Sequence, residues 1–359
     1  MAVMAATVMF AMVAATGTAA ADGDERLGPP TVEIADASDL IIAGVGLLQQ
    51  PGSMTVEVPA DATVRQVLLY WEVGTRAGTG TPEPDDTIMI DGTEITGVLI
   101  GGPTPFYGDV HSTTHRADVT DLALVSPGTT TMTVSGIDDA GVHDGAGIVV
   151  FFDRPGEAAT ITMVDGNDIA FVDFAPPLDT TVPQVFEVAA APADRVVTLC
   201  LFVGSVLDNR PRPQQLHISV GGTETVIADP FRNVDGAEFD HQLFQVTVPA
   251  GATSVETWIT SARDDSGDLP ASLVWIFAAL REPAPVGVAA GGVSAPTTTV
   301  LPPTTASPVE VKAETAVADN QLAFTGGVRD ELVVAGITAI LAGAAVIAIT
   351  RSHRRRPII

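Results

Sequence analysis

The residues best suited to chemistry in this chain are Leu322, Ala323, Phe324, Thr325 and Gly326. The weight of such a pentapeptide depends on what surrounds it. Six residues further on, an uncharged apolar run of 19 residues fills 332–350, followed by Arg351, Arg354, Arg355 and Arg356. A run of that length crosses a bilayer as a helix. The arginines hold its end in the cytoplasm by the positive-inside rule. The pentapeptide is therefore expected just outside a membrane, within reach of a membrane-bound transpeptidase. Five loose positions alone are weak evidence; the same positions directly ahead of a span and a basic tail are strong.

This tail resembles the sorting signals of sortase-anchored surface proteins of Gram-positive bacteria. The usual signal is Leu-Pro-x-Thr-Gly, and Ala323 stands here where Pro is expected. The departure is similar to the Leu-Ala-x-Thr-Gly variant used by class E sortases of high-GC actinobacteria. The resemblance implies that the sortase cysteine attacks the carbonyl of Thr325. Gly326 then leaves with the membrane helix, and a peptidoglycan precursor amine resolves the acyl-enzyme. Leu322, Ala323 and Phe324 are recognition positions on that reading, and the chain is a substrate, performing no catalysis there. An ordinary single-pass membrane protein that is never processed is the bland alternative.

Residues 1–21 are apolar and close on Ala19, Ala20 and Ala21 ahead of Asp22. An apolar core ending in small residues reads as a signal peptide cut after Ala21. The segment lacks Lys and Arg, unusual in a leader, and an uncleaved anchor is the alternative. Export and the tail together place the protein at the cell wall or cell surface, membrane-spanning before sorting.

Residues 22–326 carry 42 acidic and 12 basic side chains, a formal charge of −30. That sign argues against nucleic acid and anionic lipid headgroups as partners. The single cysteine, Cys200, excludes an intrachain disulfide. It lies in an apolar run and reads as a small core hydrophobe. A thioester with Gln214 or Gln215 is the functional alternative. The only lysine, Lys312, lies beyond the expected folded region, which excludes a core lysine crosslink.

Other candidate sites are weaker. Asp264, Asp265 and Asp268 surround Gly267 and resemble part of a calcium loop; the expectation is no cofactor, with bound calcium as the alternative. Asp138, Asp139 and Asp144 form a second acidic cluster. Asp109, His111, His115 and His143 could in principle hold zinc, but Gly101, Gly102, Pro103 and Pro105 read as a loop. No Gly-x-Ser-x-Gly, P-loop or His-Glu-x-x-His motif is present. Aromatic residues make up 5% of the chain, which disfavours a sugar-stacking cleft.

The elements that must position these residues read as all-β. Residues 63–73 alternate, with Val67, Leu69, Trp71 and Val73 on one face. Asp91-Gly92 between apolar runs signals a hairpin. Residues 148–152, 159–164, 196–203, 216–220, 243–248, 255–260 and 273–280 are further strand candidates. A short helix is expected at 117–124. Residues 56–63 match 246–253 as strand, Pro-Ala turn and strand, suggesting two sandwiches of related design. The expected organisation is a signal peptide (1–21) and one or two antiparallel β-sandwich domains (22–178 and 179–283). A disordered Pro/Thr-rich linker (284–321), sorting motif (322–326), single transmembrane helix (332–350) and basic cytoplasmic tail (351–359) follow. The leading expectation is an anchored, non-enzymatic display, adhesive or structural protein. An anchored carbohydrate-binding or hydrolytic protein is the alternative.

Overall fold

The 14-residue strand 63–76 shows how the fold is built. Val67, Leu69, Trp71 and Val73 enter one apolar core, and the intervening Leu68 and Tyr70 enter another. A strand buried on both faces needs a sheet on each side of its own. The computed structural model describes residues 25–76, 85–106, 108–137, 144–206, 212–232, 235–265, 270–284 and 311–313. Those residues supply that arrangement.

Nine strands form the first sandwich: β1 (Asp39–Gly46), β2 (Gly52–Val58), β3 (Thr63–Arg76), β4 (Thr87–Ile90), β5 (Thr93–Thr96), β6 (Val98–Pro105), β7 (Val110–Asp118), β8 (Gly128–Ser135) and β9 (Asp144–Asp153). The second sandwich contains β10 (Ala159–Ala170), β11 (Gln184–Glu187), β12 (Arg195–Gly204), β13 (Gln214–Val220), β14 (Thr223–Ala228), β15 (Phe239–Val248), β16 (Ser254–Ser261) and β17 (Leu273–Pro283). A short β18 (Val311–Ala313) joins the edge of β15. The ladders are antiparallel.

The sheet orders are β1-β9-β3-β7-β6 with β2-β8-β4-β5, and β10-β17-β12-β15-β18 with β11-β16-β13-β14. Setting aside β6 and β18, the two halves have the same connectivity, that of an eight-stranded jelly roll. Each roll has its own core between its two sheets. A third core, containing Leu40, Ile42, Leu68, Tyr70, Phe151, Cys200, Phe202, Phe239 and Phe277, joins the two five-stranded sheets. The described body is thus a four-layered stack with the larger sheets innermost.

Several expectations change in detail. β10 was expected ahead of a boundary at 178/179, yet it pairs with β17 in the second roll. The chain passes between the rolls at residues 154–158, because β10 opens the second roll as β1 opens the first. The two copies of the repeated turn do not occupy equivalent corners. Residues 56–63 join β2 to β3, whereas residues 246–253 lead from β15 towards β16. The halves are alike, but this repeat is not the cause. Instead of a helix at 117–124, β7 runs to Asp118 and a single 3-10 turn covers Thr120–Leu122. The presumed loop at 101–115 is mostly strand, in β6 and β7. β18 falls within the expected linker, whose other residues from 285 onward lie outside the described ones.

Candidate functional site

The interface between the rolls is not uniformly apolar. On β1 and β9 the first roll presents glycines, and rings from the second roll fill the space. A Cβ at Gly147 would lie 2.7 Å from the Phe202 ring, and one at Gly145 2.4 Å from Phe239. Across β3 and β7, by contrast, the same face carries Tyr70, Glu72, Ser112, Thr114 and Arg116, all buried. These residues alternate with core-facing neighbours, so strand periodicity aims them together at the second roll.

β10 answers them at an irregularity, where its register against β17 shifts between Asp165 and Asp168. Asp165 accepts from the Tyr70 hydroxyl at 3.0 Å and forms an ion pair with Arg116, both charged side chains being 4% exposed. Burial pushes the Asp165 carboxyl above its ordinary range, against the pull of Arg116. Burial, followed by the Asp165 charge, raises the Tyr70 phenol well above its usual value. A pair so enclosed costs about 3–5 kcal/mol to break from one side, because the remaining charge is left unpaired.

Beside this pair, Ser112 sits 2.7 Å from Glu72 Oε1 and 2.9 Å from the Asn167 amide oxygen, with one proton for two acceptors. Thr114 Oγ1 lies 2.9 Å from the same Asn167 oxygen, and the Asn167 amide nitrogen has no partner. Turning the amide over resolves the donor count. Its NH2 then donates to both hydroxyls, and Ser112 donates to Glu72. Asp168, also buried, accepts from the Val182 N–H at 2.9 Å, and burial pushes its pKa up to about 8. The seam is buried and polar, suited to fixing the register of two rolls.

Access to solvent lies at the margin. Two open clefts share Arg65. One, about 430 Å³, is lined by Asp36, Ser38, Asp153 and Glu157. The other, about 480 Å³, is lined by Glu33, Gln66, Asp118, Thr120 and Asp121. Arg65 is held by Asp153, with Nε to Oδ2 at 2.6 Å, so carboxylates dominate both clefts and disfavour anionic ligands.

The residues singled out in the sequence are scattered. Leu322, Ala323, Phe324, Thr325, Gly326, Ala19, Ala21 and Asp268 lie outside the described residues, as do Asp138, Asp139 and His143. Asp264 and Asp265 are described, but among the described residues no group of three or more His, Cys, Asp and Glu is arranged to hold a metal. Asp109 is paired with Arg76 at 2.9 Å. His115 is buried against Trp71, ring centroids 5.5 Å apart, and burial lowers its pKa to about 4. Cys200 is buried in the inter-roll core, where burial pushes its thiol to about 12. Gln214 instead turns inward in the second roll and donates to the Phe231 carbonyl at 2.8 Å. Cys200 and Gln214 thus face different layers, and no thioester joins them. The seam itself went unread. Ser112-Thr113-Thr114-His115-Arg116 looks like an exposed polar segment, and only Gly166-Asn167-Asp168 inside an apolar strand hinted at an irregularity.

No protein-family model matches the chain. A comparison with curated proteins gives no match either. Among solved structures, the cycloalternan-forming enzyme from Listeria monocytogenes aligns at 15% identity over 70% of this chain and 20% of its own, with a TM-score of 0.23. A peptide-N(4)-(N-acetyl-β-D-glucosaminyl) asparagine amidase aligns at 11% identity over 69% of this chain and 98% of its own, TM-score 0.25. Latent PorU from Porphyromonas gingivalis aligns at 7% identity over 68% of this chain and 24% of its own, TM-score 0.25. The chain spans about a fifth of the length of the Listeria structures it matches. At these scores the likeness carries no functional argument.

Proposed function

We propose that this chain is an exported, non-enzymatic surface protein, joined covalently to peptidoglycan by a sortase through Thr325. The paired jelly rolls are its displayed body, with an adhesive or structural role at the cell surface. The observation carrying this reading is the order of segments in the sequence: Leu322-Ala323-Phe324-Thr325-Gly326, then a 19-residue apolar run, then arginines. Such a run holds the scissile Thr325–Gly326 bond at the membrane face. A class E sortase supplies the thiolate that attacks Thr325, Gly326 departs as the amine, and the wall-precursor amine takes the acyl group.

Thr325→Ala tests this reading. The variant moves from the wall fraction to the detergent-soluble membrane fraction, and mature wild-type protein ends at Thr325. Wild-type protein recovered wholly from detergent with Ile359 still present would overturn the proposal.

A further inference from the structure

Residues 25–38 precede β1, belong to neither roll's sheets beyond a single bridge, and touch both rolls. Leu27, 3% exposed, enters the core of the second roll. Gly28 and Asp165 exchange two backbone hydrogen bonds of 2.9 Å. Thr31 Oγ1 then accepts from Arg116 Nη2 of the first roll at 2.8 Å. The Ala35 N–H donates to Gln66 Oε1 at 2.8 Å, and Gln66 Nε2 donates to the Glu33 carbonyl at 2.9 Å. Val32, Ile34 and Ala37 lie on the inter-roll core. Ser38 closes the segment: its hydroxyl accepts from the Arg154 N–H at 2.8 Å, and its carbonyl accepts from Arg281 Nε at 3.0 Å.

The segment is therefore fastened to the second roll, to the first, and to the crossing at residues 154–158. We infer that residues 25–38 are a latch. Seated, they lock the rolls face to face and cover the Arg116–Asp165 pair. Released, they uncover the Arg116–Asp165 end of the polar seam and admit water there, while the apolar third core keeps the rolls together. Two features favour this motion. The polar half of the interface exchanges its internal hydrogen bonds for bonds to water on opening, so its net cost is small beside that of an apolar face. Residues 25–38 form no ladder beyond the single Gly28–Asp165 bridge, the type of segment that opens before the paired strands.

The test uses the full chain with Leu27→Ala, and Leu27→Asp as the stronger variant, followed by amide hydrogen exchange and cleavage of the Glu157–Ala158 bond by a glutamyl endopeptidase, read by mass spectrometry. Expected in both variants is exchange about tenfold faster in residues 31–38 and across 154–170, with faster cleavage after Glu157. The outer strands β2, β8, β13 and β14 stay within about twofold of wild type. Unchanged exchange in residues 31–38 would overturn the latch. So would acceleration in Leu27→Ala that is equal in the outer sheets, since Leu27 would then be an ordinary core side chain.

Discussion

His115 carries the clearest consequence of a single side chain. It lies flat against Trp71, whose indole N–H donates to the Asp85 carbonyl at 3.2 Å, and neither imidazole nitrogen has a partner. Burial holds the ring neutral with a pKa of about 4, below the ordinary 6.5, and Asp86 only partly opposes this. Between those two values the unfolded chain binds the proton and the folded chain does not. Stability therefore falls as pH drops through about 6.5 and levels off below about 4, a loss of up to about 3 kcal/mol from this group. His115→Phe keeps a flat ring on Trp71 and removes the titration. Urea melts at pH 7 and pH 4 are expected to show a smaller acid loss in the variant; equal losses would refute the assignment. The sequence showed His115 as a candidate loop ligand, because a single histidine carries no sign of the indole covering it. Cys200 was legible as core, since an apolar run on both sides of it leaves a small hydrophobe little alternative.

At the scale of the strand, alternation was readable and the second buried face was not. β12 turns Val197, Leu199, Leu201 and Val203 into the second roll's core and Cys200 and Phe202 into the inter-roll core. The continuous apolar run gave the strand its place, but a run buried on both faces does not say which partner covers each face. Asp91-Gly92 was unambiguous: φ is 50° and 78° there, the positive values the turn requires. The glycines of β9 had no visible purpose until the rings opposite were seen. Gly147→Val forces a branched side chain against Phe202 and is expected to cost about 1–3 kcal/mol, read as a lower Tm. Adding Phe202→Leu should recover part of that loss, because the two residues share one space. Full additivity of the two changes would show that they do not.

For the whole molecule, cohesion comes from packing and backbone pairing. The single thiol is buried and free, and no lysine precedes residue 312. Melting temperature is expected to be the same with and without reductant, and the unanchored protein's mass to equal that of its peptide chain. A loss of one ammonia would reveal an internal crosslink and refute this account. The all-β class was legible from strand spacing; two related halves were suggested only by a repeat whose copies lie at non-equivalent corners. The shared connectivity of the halves was not legible, because pairing such as β1 with β9 joins residues more than a hundred positions apart.

The rings and glycines at the inter-roll face also give the assembly a handedness of roles. Along β1 and β9, sockets lie on the half synthesised first and the rings of Phe202 and Phe239 on the half synthesised second, while Gly204 of the second half lies against Glu72 of the first. A lone first roll offers dimples and polar groups beside its apolar patch, a poor template for pairing with its own copy. The later half brings Phe202 and Phe239 when the glycines that receive them are already on the same chain, so tethering by residues 154–158 favours pairing within the chain over pairing with another molecule.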